Sequence, residues 1–183
     1  MNKRIALAAL GAALIGLALY RWVFPTTWIR AHLGGADSQL ALAYSYGTGE
    51  GMERDEQKAA YWYGKAAEQG DPRAQLALAA RYDQGLGVAK DPEAATRWFR
   101  AAADQGDPEA QVALALRHVE GRGVAQDRVQ AAMWMILADR YVTTRSDAMA
   151  LLLQLKQDLS ETDLAEARRL AADWRLAHPA PQG

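Results

Sequence analysis

The chain has 183 residues and a formal net charge of −1, so it is long enough for one domain with a sizeable core but has no overall positive field to recruit nucleic acid. It contains no cysteine, which excludes disulfides, thiolate zinc sites and cysteine nucleophiles. Half of the residues are apolar, and alanine rather than phenylalanine supplies much of that half, a composition typical of closely packed helices rather than sheets.

Residues 1–30 have the charge pattern of a membrane segment. Two basic residues, Lys3 and Arg4, precede an uncharged run over residues 5–20, and an aromatic cluster follows the run. A bilayer core of about 30 Å needs about 20 helical residues, so the run is short, but flanking basic side chains can snorkel to the interface. The segment therefore predicts an uncleaved, single-pass membrane anchor whose N-terminus lies in the cytoplasm.

The anchor has two alternatives: a cleaved signal peptide and a peripheral segment. No small-x-small cleavage site follows the apolar run, which favours the anchor over the signal peptide. Sixteen arginines against five lysines are typical of a GC-rich bacterial genome. The expected location is therefore a bacterial inner membrane with the rest of the chain in the periplasm, or the periplasm itself if the segment is cleaved.

A period of 36 residues runs through the middle of the chain. Gly34, Gly70 and Gly106 stand 36 residues apart. The same spacing relates three further sets: Gln39, Gln75 and Gln111; Asp55, Asp91 and Asp127; and Trp62, Trp98 and Trp134. Glycine pairs at 49 and 51, 85 and 87, and 121 and 123 keep the same register. A nucleotide-binding loop occurs once per site, whereas a structural turn recurs in every repeat, so these glycines are predicted to form turns.

Each 36-residue unit is predicted to be a pair of helices. In the second unit Asp71 and Asp91 are the expected N-caps, and a proline at the first helical position follows each of them. Alanines and Trp98 form the expected core stripe of the second helix. One helix pair cannot bury both of its faces, so the units must stack. The predicted units are residues 34–69, 70–105 and 106–141.

After residue 141 the period fades. Residues 142–177 are predicted to form C-terminal capping helices, because leucines of residues 146–159 share one face and Ser160 begins a capping box with Asp163. Residues 178–183 are predicted to be a frayed tail.

Two segments carry the repeat most fully, SQLALAYSYGTGEGMERDEQKAAYWYGKAAEQGD and AQLALAARYDQGLGVAKDPEAATRWFRAAADQGD. In these motifs the chain resembles the Sel-one-like repeat (SLR) family of bacterial proteins, which are solenoids related to tetratricopeptide repeats. The resemblance implies an all-α fold, a right-handed α-solenoid of three 36-residue helix pairs with C-terminal capping helices, which here follows an N-terminal membrane helix. It also implies a non-catalytic scaffold or adaptor that binds a protein or peptide partner.

No constellation of catalytic, cofactor-binding or metal-binding residues is recognisable. The four serines lie outside any G-x-S-x-G motif, and the three histidines are scattered. His118 stands where the other repeats have tyrosine, so we expect a core or groove-edge position for it. We therefore predict no enzyme activity and no cofactor. A hydrolase acting on envelope material and a purely structural subunit of a membrane complex are the alternatives to the adaptor.

The candidate partner-binding residues lie on the first helix of each unit, where positions vary between copies of a fixed scaffold. They are Tyr44, Ser45, Thr48, Arg81, Gln84, Leu116, Arg117 and Glu120. First helices of such solenoids line an inner, concave surface, so their exposed side chains are expected to form one groove. Arg81 and Arg117 are expected to present two guanidinium groups to carboxylates of the partner. The alternative is that both arginines are solvated or paired with Glu120 and its neighbours.

Overall fold

The computed structural model describes residues 26–138 and 146–179, and within these two ranges the chain forms helices and turns without a strand. The helices are α1 (residues 26–32), α2 (Ala36–Thr48), α3 (Glu56–Glu68), α4 (Pro72–Gln84), α5 (Pro92–Asp104), α6 (Pro108–Glu120), α7 (Arg128–Leu137), α8 (Ser146–Asp158) and α9 (Glu161–Ala177). From α2 to α7 each helix packs on its neighbours in the chain, and α8 and α9 pack on α7. The all-helical, solenoid-like fold and the capping helices are thus as predicted.

Residues 1–25, which contain most of the predicted membrane segment, lie outside the described part of the chain. None of the helices described in residues 26–138 and 146–179 combines the length and the apolarity that a membrane crossing needs.

The recurrent aspartates are helix N-caps, as predicted. The carboxylates of Asp55, Asp91 and Asp127 each accept a hydrogen bond of 2.9 Å from the backbone N–H three residues later. Their own N–H groups donate to the carbonyl of the residue nine positions earlier in the preceding first helix, at 2.8–2.9 Å. Each aspartate therefore starts the second helix and also fixes it to the first.

Buried glutamines join each pair to the helix before it. Gln75 donates from Nε2 to the carbonyl oxygen of Ala67 at 3.2 Å, and Gln111 donates to that of Ala103 at 3.3 Å. Gln39 makes the same bond, at 3.0 Å, to Ala31 of α1. Helix α1 therefore occupies the place of a second helix in front of the first predicted unit, a feature that the sequence analysis missed.

The tryptophans at 36-residue spacing are not equally buried. Trp62 and Trp134 retain 8% and 1% of their exposure, which confirms the predicted core position. Trp98 is only half-buried, so its prediction as a core residue was wrong in degree. His32 of α1 contacts the Trp62 indole, and Arg100 of α5 and Trp174 of α9 contact that of Trp134. Beside Trp98 the position of Arg100 is taken by Gly64, which has no side chain.

The glycine pairs form turns, as predicted. Gly85 ends α4 with φ +76° and donates from its N–H to the carbonyl of Arg81 at 2.7 Å. Gly87 also has a positive φ, +72°, and its backbone lies directly against α3 of the preceding unit. A Cβ atom on Gly87 would stand 1.9 Å from the carbonyl oxygen of Glu56, whereas the nearest atom to a Cβ on Gly85 would be a side-chain carbon at 3.4 Å.

We expect Gly87→Ala to destabilise the chain much more than Gly85→Ala. Both substitutions force alanine into the left-handed region, at a cost of about 1–2 kcal/mol. Only Gly87→Ala also pushes two backbone segments apart, which adds about 1–3 kcal/mol. Urea unfolding of the purified chain, followed by circular dichroism, measures the difference. Equal losses in the two variants would contradict the close backbone contact.

Candidate partner-binding surface

The eight predicted partner-binding residues lie in the C-terminal halves of α2, α4 and α6, and their exposure differs. Five of them are exposed: Tyr44, Thr48, Gln84, Leu116 and Glu120. Ser45 and Arg81 are half-buried, and Arg117 retains 3% of its exposure. The expectation that two arginines line an open groove is therefore wrong, and their partners within the fold explain why.

Arg117 is a buried connector between repeats. Its Nη1 and Nη2 donate to Oδ1 of Asp83 at 3.0 and 2.9 Å, and its Nε donates to Thr96 Oγ1 at 2.9 Å. Nη2 also donates to the carbonyl of Pro92 at 3.0 Å, and the guanidinium carbon lies 5.1 Å from the Phe99 ring centroid. Burial lowers the pKa of Arg117, an effect that the Asp83 carboxylate opposes. The guanidinium is therefore buried and held by four hydrogen bonds within the fold, so it is not presented to a partner.

Arg81 is also bound within the fold, but by a glutamate and a tyrosine of the preceding unit. Its Nη1 donates to Oε2 of Glu56 at 2.5 Å, and its guanidinium carbon lies 4.8 Å from the centroid of the Tyr63 ring. A side chain on Gly47 of the preceding first helix would collide with it, since a Cβ there would stand 2.6 Å from Nη2. Hydrogen bonds from Arg81 and Arg54 lower the pKa of Glu56, which keeps its carboxylate charged.

Neither arginine pairs with Glu120, the acid named in the alternative prediction. The carboxylate of Glu120 instead lies 3.9 Å from Arg122 Nη1. The residues that hold the arginines, Asp83 and Glu56, were missed because they lie 34 and 25 residues away along the chain. For Asp83 the spacing of 34 residues is close to the repeat length, which brings side chains of adjacent units together and is an available signal, whereas the spacing of 25 residues for Glu56 gives no such signal.

Two exposed apolar side chains on the first helices, with a half-buried alanine between them, form an apolar strip. Tyr44 and Leu116 keep 54% and 42% of their exposure, and Ala80 stands at the equivalent place on the helix between them. The ion pairs Arg73–Asp37 and Arg117–Asp83 show that α2, α4 and α6 lie side by side. Thr48, Gln84 and Glu120 are exposed one turn further on. These six residues, from Tyr44 to Glu120, are termed the first-helix face.

His118 belongs to the core, one of the two positions expected for it. It retains 5% of its exposure, and its Nε2 lies 3.5 Å from Arg100 Nη2. Burial, and to a lesser extent the charge of Arg100, lower its pKa, so the ring is neutral at pH 7. In residues 26–138 and 146–179 no three His, Asp or Glu side chains are grouped so that they could hold a metal ion.

Comparison with known proteins places the repeats in one family. The family model described as Sel1 repeat matches residues 36–71, 72–107 and 108–138. The crystal structure of a Sel1 repeat protein from Oxalobacter formigenes is 34% identical, with a TM-score of 0.64, over 72% of this chain and 97% of that one. A protective antigen present in uropathogenic Escherichia coli strains, which displays an SLR fold, is 28% identical with a TM-score of 0.53. That match covers 81% of this chain and 39% of the antigen. No match was found among curated proteins.

We expect Asp83→Ala to destabilise the chain by about 3 kcal/mol or more, because it leaves the Arg117 guanidinium buried without its carboxylate. Asp37→Ala, the control, removes a carboxylate that is 89% exposed and should change stability little. Combining Asp83→Ala with Arg117→Met should recover much of the loss, since no unpaired charge then remains buried. Urea unfolding of the three variants measures these differences. Similar, small losses for Asp83→Ala and Asp37→Ala would refute a structural role for the Arg117–Asp83 pair.

Proposed function

The chain belongs to the Sel1 repeat family, and we propose that it is a non-catalytic adaptor that binds a protein or peptide partner on the first-helix face. The observation that carries the proposal is the apolar strip of Tyr44, Ala80 and Leu116, which lies on three equivalent helices. Exposed apolar residues that line up across repeats are typical of an interaction surface.

The chemistry of the strip favours an apolar anchor on the partner. Ala80 leaves room between two larger side chains, Tyr44 and Leu116, so an aliphatic or aromatic group of the partner fits above it. Helices pack about 8–10 Å apart, so a segment crossing all three helices spans about 20 Å, or about six extended residues. The sequence led us to expect a partner with carboxylates, but Arg81 and Arg117 bind Glu56 and Asp83 of this chain and are not available to such a partner.

The rim of the strip is polar. Gln84 can donate and accept hydrogen bonds, and Glu120 can accept them from backbone N–H groups of a bound segment. Thr48 is already engaged, because its hydroxyl donates to the Tyr44 carbonyl at 3.0 Å and accepts from the Glu50 N–H at 3.2 Å. We infer that apolar contacts supply most of the affinity and that Gln84 and Glu120 orient the partner.

We also propose that residues 1–30 hold the repeats at the extracytoplasmic face of a bacterial inner membrane. The support is Lys3 and Arg4 ahead of the uncharged run over residues 5–20. The envelope hydrolase and the structural subunit of a membrane complex, the two alternatives, have no support from a specific arrangement of side chains in residues 26–138 and 146–179.

The adaptor proposal predicts that a partner is captured at position 80. A photo-crosslinking residue is placed there in native cells, and at Leu153 of α8, which is 52% exposed, as the matched control. The crosslinked protein is identified by mass spectrometry, purified and titrated against the chain by calorimetry. Tyr44→Ala combined with Leu116→Ala should weaken binding at least about ten-fold, because it removes both walls of the strip. Leu153→Ala should leave binding unchanged.

The controls separate binding from folding. Tyr44 and Leu116 are exposed, so the melting temperature of the double variant should stay close to that of the unmodified chain. Ala80→Arg, which fills the strip without removing a wall, should weaken binding as well. A partner that binds the Tyr44→Ala and Leu116→Ala double variant as well as the unmodified chain would rule out this face.

The membrane proposal predicts an uncleaved chain. The intact mass of protein extracted from membranes should show that residues 5–30 are still attached to the repeats. A mature form lacking the first 20–30 residues, recovered in the soluble periplasmic fraction, would show a cleaved signal peptide instead. Protease added to intact spheroplasts should digest the repeats if they lie outside the inner membrane.

A further inference from the structure

Gly64 lies within the continuous helix α3 at a position where a larger residue would fit without a clash. Its backbone is helical, and its φ is not in the left-handed region that favours glycine. A Cβ atom at this position would have no heavy atom within 4 Å. A glycine inside a helix costs about 0.5–1 kcal/mol relative to alanine. The sequence therefore carries a destabilising residue at a place where a side chain would point into open space.

The repeat shows what fills this space elsewhere. The position of Gly64 is taken by Arg100 in the next unit, and the Arg100 guanidinium carbon lies 5.5 Å from the Trp134 ring centroid. At the N-terminal end Trp28 holds the position of Gly64, and its ring centroid lies 3.8 Å from that of His32. His32, which holds the position of Glu68, lies against Trp62 with ring centroids 4.6 Å apart. In both places a planar, nitrogen-bearing group contacts the tryptophan of the following unit.

Of the three tryptophans at 36-residue spacing, Trp98 is the one that no histidine or arginine side chain contacts in the described residues. It is half-buried and lines an open groove of about 340 Å³ together with Gly64, Tyr61 and Leu78. Tyr61, which is 57% exposed, forms a second aromatic wall, and the ammonium of Lys65 lies 5.8 Å from its ring centroid, so Trp98 is the wall that no cation of the chain covers in the described residues. Aromatic faces attract cations, and a guanidinium also stacks on them because it is planar.

A carboxylate, that of Glu68, also lines the groove. Asp104 holds the position of Glu68 in the next unit. Its carboxylate accepts a hydrogen bond of 3.4 Å from the indole N–H of Trp174, and the Trp174 ring packs against Trp134. Glu68 lines the groove beside Trp98 in the same register. Its present partner, Lys65 at 3.2 Å, belongs to an exposed ion pair that is weakly held in water and can share the carboxylate.

We propose that this groove, the Gly64 groove, is a second binding site that takes an arginine side chain of a protein partner. The guanidinium lies over the Trp98 ring and donates to the Glu68 carboxylate, as Arg100 lies over Trp134 in the next unit. The site is formed by the second helices α3 and α5 together with α4, so it is separate from the first-helix face and does not depend on it.

Binding is tested with blocked dipeptides on the full chain in detergent, by NMR of the Trp98 indole N–H. This resonance is assigned by its loss in Trp98→Phe. Acetyl-glycyl-arginine amide should shift it saturably. The citrulline peptide, which has the same shape without the charge, and the leucine peptide should bind several-fold more weakly. Gly64→Arg should abolish the response by filling the groove, and Gly64→Ala should retain it. Glu68→Gln should weaken it.

A second measurement uses stability rather than binding. Gly64→Arg places the guanidinium over Trp98 within the chain, so it should lower the unfolding equilibrium constant several-fold more than Gly64→Gln, whose helix propensity is similar. Equal stabilities of these two variants, no shift with the arginine peptide, or equal shifts with the arginine and citrulline peptides would each overturn the proposal. The Tyr44→Ala and Leu116→Ala double variant should leave the Trp98 response unchanged, which separates this site from the adaptor proposal.

Discussion

The stacking of the repeats depends on one buried hydrogen bond that recurs in every unit. The side-chain amide of Gln39, Gln75 or Gln111 donates to a backbone carbonyl in the last turn of the helix before it. The same carbonyls also accept the N–H of Gly34, Gly70 or Gly106 at 2.9–3.2 Å, so the glutamine supplies their second hydrogen bond. The glutamine amide is itself buried, and leaving it unpaired would be costly. In two cases the bond continues, because Gln69 and Gln105 donate to the amide oxygens of Gln39 and Gln75 at 2.6 and 2.8 Å. The glutamines thus allow alanine-lined helices to approach closely while their polar ends stay satisfied.

Charge is distributed unequally between the interior and the binding face. Arg117 pairs with Asp83 and Arg81 pairs with Glu56, and each pair joins one unit to the preceding one. These two arginines of the first helices are therefore bound within the fold. The first-helix face that remains is apolar in the middle and polar at its rim. This arrangement fits a surface on which burial of apolar groups supplies affinity and the rim excludes water.

Departures from the repeat mark the places where the units differ in what they can bind. Trp62, Trp98 and Trp134 occupy one register position, yet only Trp98 faces an open groove, because Gly64 supplies no side chain there. A regular solenoid can tolerate such an omission because each unit contacts only its neighbours, so the cost stays local. The same reasoning applies to Gly47, whose missing side chain admits the Arg81 guanidinium into the interface between units.

The helices, their caps and their repetition can be predicted from the residues alone. Asp91 as an N-cap, Gly85 as a left-handed turn and the 36-residue period follow from local backbone chemistry, which acts over a few residues and recurs in each copy. Tertiary structure alone decided that Arg117 is buried, that Trp98 is half-exposed and that α1 takes the place of a second helix. These outcomes depend on contacts such as Arg117 with Asp83 and His32 with Trp62, which form only after the units have stacked. Periodicity shows which positions are equivalent without showing which neighbour covers each one.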